Sequence, residues 1–345
     1  MYVTPRPDAS EDPFYAVRLG LIGALAYSAI PLIDPALPPI ICALPVGLIA
    51  SQRKSFNVGK AIAGPVVMIV LVYVMTWAVE QMRPMPVLYV AVMWLTYFAG
   101  YLMILRTGAQ AGMLIVIVSV LMSVMGMHGS ATVETMRDGF VQAALVGLLI
   151  APVVYWLVPP RTREAHVDTP VPGGGNVAIG AAIRATVLLG LSFWLYSVMQ
   201  PSDMMMAVIA AMVLVFPTRR AVLWEALQRV RATFYGSMAA ALALAVVVWS
   251  PHLPIVLGLV FLTGLYFGDR MIHGPHPSMV YQYAFSVMLA LVAGALSTQD
   301  ASYAVLTRIV LTLVGAGAAV AAVALLDGLT DWRGERRPIR GAGAA

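Results

Sequence analysis

The sequence predicts an all-α polytopic membrane protein of about twelve transmembrane helices, arranged as two parallel six-helix repeats. The first observation is composition: 61% of the residues are hydrophobic, 11% are charged, and the mean hydropathy is +0.86. A soluble helical protein needs more polar residues to cover its surface. The second observation is that the apolar runs are continuous, at about 20 residues each, as a membrane-spanning helix requires. Barrel strands would alternate between apolar and polar residues, so a β-barrel is excluded.

Apolar windows of this length define the predicted spans in chain order. The first half has spans at 16–33, 36–50, 61–79, 86–105, 110–127 and 138–158. The second half has spans at 178–199, 203–217, 233–250, 253–268, 278–297 and 304–326. The predicted organisation is a segment 1–15, a membrane half 16–158, a Gly- and Pro-containing linker 159–177, a membrane half 178–326 and a basic tail 327–345.

Basic residues occur in every second loop of this arrangement. They lie in 51–60, at Arg106, and in 161–168, 217–231, 269–278 and the tail, whereas the loops between hold few. Because Lys and Arg concentrate in cytoplasmic loops, both termini are predicted to be cytoplasmic. Segment 1–15 lacks the basic start of a signal peptide, so the first span is expected to be retained. We therefore expect a multi-pass protein in the lipid bilayer of a bacterial inner membrane.

Charged residues are rare, yet several arginines of the first half recur in the second half at nearly constant spacing. Arg18 pairs with Arg184, Arg53 with Arg219, Arg106 with Arg270 and Arg137 with Arg308. Recurrence at a fixed spacing indicates duplication of one membrane unit. Because six spans is an even number, the two copies are predicted to have the same orientation and to be related by an axis along the membrane normal.

The second span of each half is short in a way that is typical of transport sites. Residues 36–50 contain Pro38, Pro39 and Pro45, and Pro201 precedes residues 203–217. An interrupted helix exposes backbone donors and a positive dipole end to an anion. A tight hairpin between two helices explains the same prolines. Met204 opens a methionine run that suits either an adaptable pocket or simple packing.

Asp34 and Asp203 precede these two short spans and have two possible roles. A carboxylate at this place is an ordinary N-terminal helix cap. Alternatively, burial would let one of them carry the proton of an antiporter.

Two arginines depart from the charge rule that places the others. Arg137 and Arg308 are predicted on the outer side, at the starts of the sixth and twelfth spans. A guanidinium facing a cavity there would bind the carboxylate of a substrate, and the alternative is an ion pair within the fold. By contrast, Arg18 and Arg184 are predicted at the cytoplasmic boundary, where their side chains can extend to the membrane surface.

Sequence motifs for catalysis, metals and nucleotides are absent. The chain has no GxxxxGK[ST], HExxH or GxSxG, so no enzyme and no cofactor are predicted, and a net charge of +5 does not indicate nucleic acid. Its one cysteine, Cys42, excludes a disulfide framework. His273 and His276 have metal-ligand spacing but no third ligand nearby, and a cytoplasmic turn explains them better than an intramembrane enzyme.

Each half also begins with a similar helix and a basic turn. AVRLGLIGALA at 16–26 corresponds to AIRATVLLGLS at 182–192, and the later turn has Gln228-Arg229 followed by Thr233 and Gly236. Looser counterparts in the first half are Ser51-Gln52-Arg53, Gly59 and Gly64. This pattern resembles the fusaric acid resistance and aromatic acid exporter superfamily, as a short member without its large cytoplasmic domains.

The resemblance implies a function and partners. It implies efflux of aromatic or amphipathic carboxylic acids, driven by the proton gradient, with a periplasmic membrane-fusion adaptor as partner and a small organic acid as substrate. The sequence leaves open whether the protein forms a homodimer. The alternative is a membrane scaffold that anchors an adaptor or an envelope-assembly complex and transports nothing.

Overall fold

The structure is a computed structural model that describes Pro7 and residues 10–50, 56–107, 110–162, 176–198 and 219–297. In these ranges every regular element is an α-helix. The helices are α1 (Tyr15–Ser28), α2 (Ile30–Ile33), α3 (Pro38–Ala50), α4 (Val58–Met82), α5 (Pro86–Thr107), α6 (Gln110–His128), α7 (Ser130–Leu157), α8 (Val177–Val198), α9 (Arg219–Trp249), α10 (Leu253–His273) and α11 (Ser278–Ser297). The all-α fold is therefore confirmed for the described chain.

Eight helical segments among the described residues are long and apolar enough to cross a membrane. Two shorter apolar helices, Pro38–Gly47 and Gly112–His128, accompany them. A multi-pass membrane protein is thus confirmed. The predicted spans 203–217 and 304–326 lie outside the described residues, so the total of twelve stays a prediction.

Two helices begin earlier than the apolar windows predicted. α7 begins at Ser130 instead of 138, and α9 begins at Arg219 instead of 233. The predicted loop 217–231 is therefore wrong from Arg219 onward, because these residues are the first part of one 31-residue helix. The physical reason is that hydropathy locates the buried part of a helix, whereas hydrogen bonding continues until a breaker intervenes. No proline interrupts residues 219–249.

The predicted cytoplasmic loop 269–278 is also shorter than expected. α10 continues through Asp269 to His273, and Gly274 is its C-cap. Only residues 274–277 separate it from α11, which has the predicted bounds.

Helix α3 occupies the centre of the bundle. It packs against α1, α7 and α11, and Ile40, Ile41, Cys42 and Val46 are buried in these contacts. At its start, Leu37 contacts Gly139 of α7, and Pro39 contacts Gly294 of α11. The short second span therefore lies where helices of the two halves meet.

The packing between the two halves is reciprocal. The first helix of the first half, α1, packs against α10, which is the fourth predicted span of the second half. The first helix of the second half, α8, packs in turn against α5, the fourth span of the first half. Within the halves, α4 packs against α6, as α9 packs against α11.

The contact between α1 and α10 is made through glycines. A methyl group on Gly264 would lie 2.6 Å from the Cα atom of Gly20, and one on Gly268 would lie 2.6 Å from the Cα atom of Ala16. Both distances are too short for a side chain, so the two antiparallel backbones touch directly. We call this contact, formed by Ala16, Gly20, Gly264 and Gly268, the glycine seam.

Candidate functional site

Helix α5 presents a row of tyrosines to α6 and α8. Tyr89, Tyr97 and Tyr101 are spaced by multiples of four residues, so their side chains lie on one helix face. Tyr97 and Tyr101 are completely buried, and Tyr89 is buried as well. Because α8 belongs to the second half and α5 and α6 to the first, this row lies between the halves.

Tyr97 joins three helices through its hydroxyl group. Its oxygen lies 2.5 Å from Ser123 Oγ on α6 and 3.2 Å from Ser192 Oγ on α8. Ser123 and Ser192 can also donate to carbonyl oxygens of their own helices, those of Val120 at 2.9 Å and Leu188 at 2.8 Å. The hydroxyls can therefore be ordered in either direction without any change in charge.

A buried arginine lies beside this tyrosine row. The Arg184 side chain on α8 is 1% exposed, and its Nη1 atom donates to the carbonyl oxygen of Gly180 at 3.1 Å. Its guanidinium also interacts electrostatically with Tyr101. A cation at this depth is costly, and its presence in a membrane span indicates a functional site.

The opposite end of the same interface holds a histidine. His128 ends α6, and its ring lies 4.7 Å from the ring of Tyr196 on α8, at an interplanar angle of 52°. Its Nε2 atom is buried and has no hydrogen-bond partner in the part of the chain that the structure describes. Nearby, Tyr89 donates to the carbonyl oxygen of Ser123 at 2.6 Å.

Together these groups form one polar line through the bundle, which we call the polar seam. Along α8 it extends from Arg184 to Tyr196, a distance of about 18 Å in a hydrocarbon layer of about 30 Å. Its members are Arg184, Tyr101, Tyr97, Ser123, Ser192, Tyr89, His128 and Tyr196.

The repeat partner of Arg184 has a different environment. The Arg18 side chain is 2% exposed and forms an ion pair with Asp12, which is 1% exposed. It also donates to the carbonyl oxygen of Val158 at 3.3 Å and lies 4.9 Å from the centre of the Tyr155 ring. Burial raises the pKa of the Asp12 carboxyl, and the charge of Arg18 opposes that shift.

These two environments correct one sequence-based expectation. Arg18 and Arg184 were predicted to extend to the membrane surface, and both are instead enclosed by protein. The prediction was wrong because sequence position gives depth along a helix and not the face on which a residue lies. Arg18 points to α7 and the N-terminal segment, whereas Arg184 lies in the polar seam.

Arg137 is less buried than either of these arginines. It lies two turns inside α7, its side chain is 25% exposed, and its Nε atom donates to Asp138 at 2.8 Å. The guanidinium carbon is 5.7 Å from the centre of the Tyr73 ring on α4. The local ion pair that was the alternative reading is therefore present.

The other predicted site residues that the structure describes lie before and at the start of α3. Asp34 is exposed and ends α2 in a left-handed conformation with φ of 48°. Its exposure removes the desolvation on which the proton-carrier hypothesis depends. Pro38 is the first residue of α3 and is half-buried. The predicted site residues Arg308, Asp203 and Met204 lie outside the described residues.

The two histidines with metal-ligand spacing have separate partners. His273 Nδ1 lies 3.0 Å from Asp269 Oδ1 at an exposed position, whereas His276 Nε2 lies 3.3 Å from the hydroxyl of Tyr235. Within the described ranges, no three His, Cys, Asp or Glu side chains are grouped so that they could hold a metal ion.

Sequence reasoning missed most of the polar seam. The available signal was the spacing of Tyr89, Tyr97 and Tyr101 on one face of a predicted span, together with serines inside otherwise apolar windows. These signals are weak because tyrosine and serine carry no charge.

Comparison with known proteins identifies a family resemblance in the second half of the chain. The family model described as fusaric acid resistance protein-like matches residues 191–322, a range that begins in α8 and contains α9, α10 and α11. No curated protein and no solved structure matches the chain. The predicted resemblance is thus confirmed, and residues 191–322 form a fusaric acid resistance protein-like region of this membrane protein.

Proposed function

We propose that this protein is an inner-membrane permease that exports aromatic or amphipathic carboxylic acids. The observation that carries the proposal is Arg184, a cation that is enclosed between helices of the two halves. The similarity of residues 191–322 to fusaric acid resistance proteins supports a transporter-like role. A guanidinium in a site of low dielectric constant binds a carboxylate strongly, because water no longer competes for its N–H groups.

The polar seam supplies the rest of a pathway. The hydroxyls of Tyr97, Ser123 and Ser192 can accept or donate hydrogen bonds, and the ring faces of the tyrosines suit an aromatic substrate. Opening of the contact between α5 and α8 would expose this line, so the substrate passes between the halves.

The reciprocal packing supports a duplicated architecture. α1 contacts α10 as α8 contacts α5, which is the pattern that a two-fold axis along the membrane normal produces. The proposal therefore includes two parallel six-helix repeats, cytoplasmic termini and proton-driven export. The partner would be a periplasmic membrane-fusion adaptor.

Transport by purified protein in proteoliposomes tests the proposal. Vesicles loaded with radiolabelled 4-hydroxybenzoate should release it faster than protein-free vesicles when a proton gradient is imposed. Arg184→Ala is expected to reduce the rate by more than about tenfold, because a charge-assisted bidentate contact contributes about 1.5–3 kcal/mol. The matched control is Arg231→Ala, which removes an exposed arginine from α9.

Two further variants separate this site from the one that the charge rule favours. Arg137→Ala and Arg308→Ala should change the rate little if Arg184 holds the substrate carboxylate. A large loss in these variants with normal transport by Arg184→Ala would move the site to them. Equal release from vesicles with and without wild-type protein would contradict transport and favour the scaffold.

A further inference from the structure

The outer end of the polar seam holds an open proton acceptor. His128 Nε2 is enclosed by protein and makes no hydrogen bond to any described residue, so a lone pair or a proton on this atom is not committed to one of them. Histidine is the side chain that ordinarily changes charge between about pH 5 and 8. The charge distribution of the loops assigns this end of α6 to the side away from the cytoplasm.

Two groups beside the ring interact with a cation. His128 lies in the last turn of α6, at the negative end of the helix dipole. The Tyr196 ring lies 4.7 Å away, within the distance of about 6 Å at which a cation is attracted to an aromatic face.

Other titratable groups at this end belong to each helix that packs around α6. They are Tyr89 on α5, Tyr196 on α8, Glu80 on α4, Arg83 in the turn after α4 and Glu134 on α7. Glu80, Arg83 and Glu134 are exposed, so solvent screens their charges. Among the described residues, His128 is therefore the group at this end that presents a buried ring nitrogen with no hydrogen-bond partner.

We propose that His128 is the proton-binding residue that couples export to the proton gradient. The proposal rests on the transport function proposed above and names its coupling site. A proton from the outer solution adds to the Nε2 lone pair and produces an imidazolium. The same proton later leaves Nε2 toward the cytoplasmic side, so one proton moves inward and no bond other than N–H is formed or broken.

Binding of this proton changes how strongly His128 is attracted to Tyr196, and so how tightly α6 packs against α8. An imidazolium is attracted to the tyrosine ring more strongly than a neutral imidazole, so protonation tightens α6 against α8 at the outer end. Loss of the proton weakens the same contact. Because protonation favours one arrangement over the other, the proton gradient can drive their alternation. The serine and tyrosine hydroxyls of the polar seam begin about 7.5 Å along α6 from His128, at Ser123.

The test compares two transport modes in the same proteoliposomes. Exchange of labelled for unlabelled 4-hydroxybenzoate at equal pH needs no net proton movement, whereas accumulation against a gradient does. His128→Gln is expected to retain exchange and to lose gradient-driven accumulation. The control His252→Gln changes an exposed histidine at the start of α10 and should retain both modes.

The remaining outcomes show whether His128 couples export to the proton gradient or only supports the fold. Tyr196→Leu should slow gradient-driven accumulation severalfold, and Tyr196→Phe, which keeps the ring, should not. Accumulation by His128→Gln at the wild-type rate would overturn the proposal. Loss of exchange together with accumulation would also overturn it, because His128 would then be needed for movement or folding itself. Absence of exchange in the wild-type protein would overturn the proposed function, and this inference with it.

Discussion

At the scale of single residues, the two buried arginines that the predicted repeat pairs have different surroundings. Arg18 has a carboxylate, a carbonyl oxygen and an aromatic ring as neighbours, so its charge is balanced within the fold. Arg184 donates to the carbonyl oxygen of Gly180 and lies beside Tyr101 in the polar seam between the halves. We therefore propose a structural role for the first arginine and, from its place in the polar seam, a binding role for the second.

The ion pair between Arg18 and Asp12 gives a stability prediction, in which a second substitution should restore part of the stability that the first removes. Arg18→Met leaves Asp12 as an uncompensated buried charge and is expected to destabilise the protein by about 3–5 kcal/mol. Asp12→Asn in the same chain should recover part of that loss, because it removes the stranded charge. The measurement is thermal unfolding in detergent. A double variant as unstable as Arg18→Met would show that the pair is not coupled.

The raised pKa of Asp12 adds a pH dependence to this pair. A carboxyl whose pKa is raised on folding stabilises the protein below its unfolded value of about 3.9, and the contribution is lost as pH rises through the folded value. Wild type should therefore lose stability relative to Asp12→Asn when the pH rises from about 4 to 7.5. The matched control is Asp269→Asn, which replaces an exposed carboxylate.

The sequence does not show which face of a helix is buried, and this limited the prediction of individual site residues. The charge rule marks Arg137 as unusual, and the structure places this residue two turns inside α7. It could not identify Arg184 as buried, because depth along a span is encoded by position and the buried face is set by neighbouring helices. The hydroxyls of Ser123 and Ser192 carry even less signal, since serine is common in apolar helices.

At the scale of helices, the glycine seam makes a sharp comparison possible within α10. Gly264→Ala would place a methyl group 2.6 Å from backbone, so it should destabilise the protein by about 1–3 kcal/mol. Gly258 on the same helix has open space around it, and Gly258→Ala should be neutral or stabilise by up to about 1 kcal/mol. Thermal unfolding of both variants checks this, and equal effects would contradict the close approach.

Helix positions were largely predictable, and helix ends were not. Continuous apolar windows located α4, α5, α8 and α11 because hydrocarbon thickness fixes their length. The windows missed the polar first turns of α7 and the basic start of α9, because backbone hydrogen bonds continue beyond the membrane.

At the scale of the whole molecule, the two equivalent contacts between the halves differ in kind. The glycine seam joins two backbones directly, whereas α5 and α8 meet through polar side chains such as Trp94 and Thr186, whose Nε1 and Oγ1 atoms are 3.0 Å apart. Tight backbone packing favours a fixed contact, and hydrogen-bonded side chains can separate and re-form. We infer that the halves open on one side only.

Cross-linking tests this asymmetry. A short thiol cross-linker between Tyr15→Cys and Met271→Cys should leave transport intact, because the native side chains meet across the α1–α10 contact, with Oη and Sδ 3.7 Å apart, and this contact does not move. A short thiol cross-linker between Trp94→Cys and Thr186→Cys should block transport until it is cleaved by a reductant. Single-cysteine variants treated in the same way are the controls. Inhibition by the first bridge and not the second would reverse the assignment.

The position of Cys42 has a practical consequence for such experiments. It is the chain's single cysteine, it is completely buried in α3, and α1, α7 and α11 surround that helix. A water-soluble thiol reagent therefore cannot reach it while these helices stay together. Introduced cysteines can therefore be labelled selectively while Cys42 stays unmodified. Modification of Cys42 itself would report that the centre of the bundle has opened.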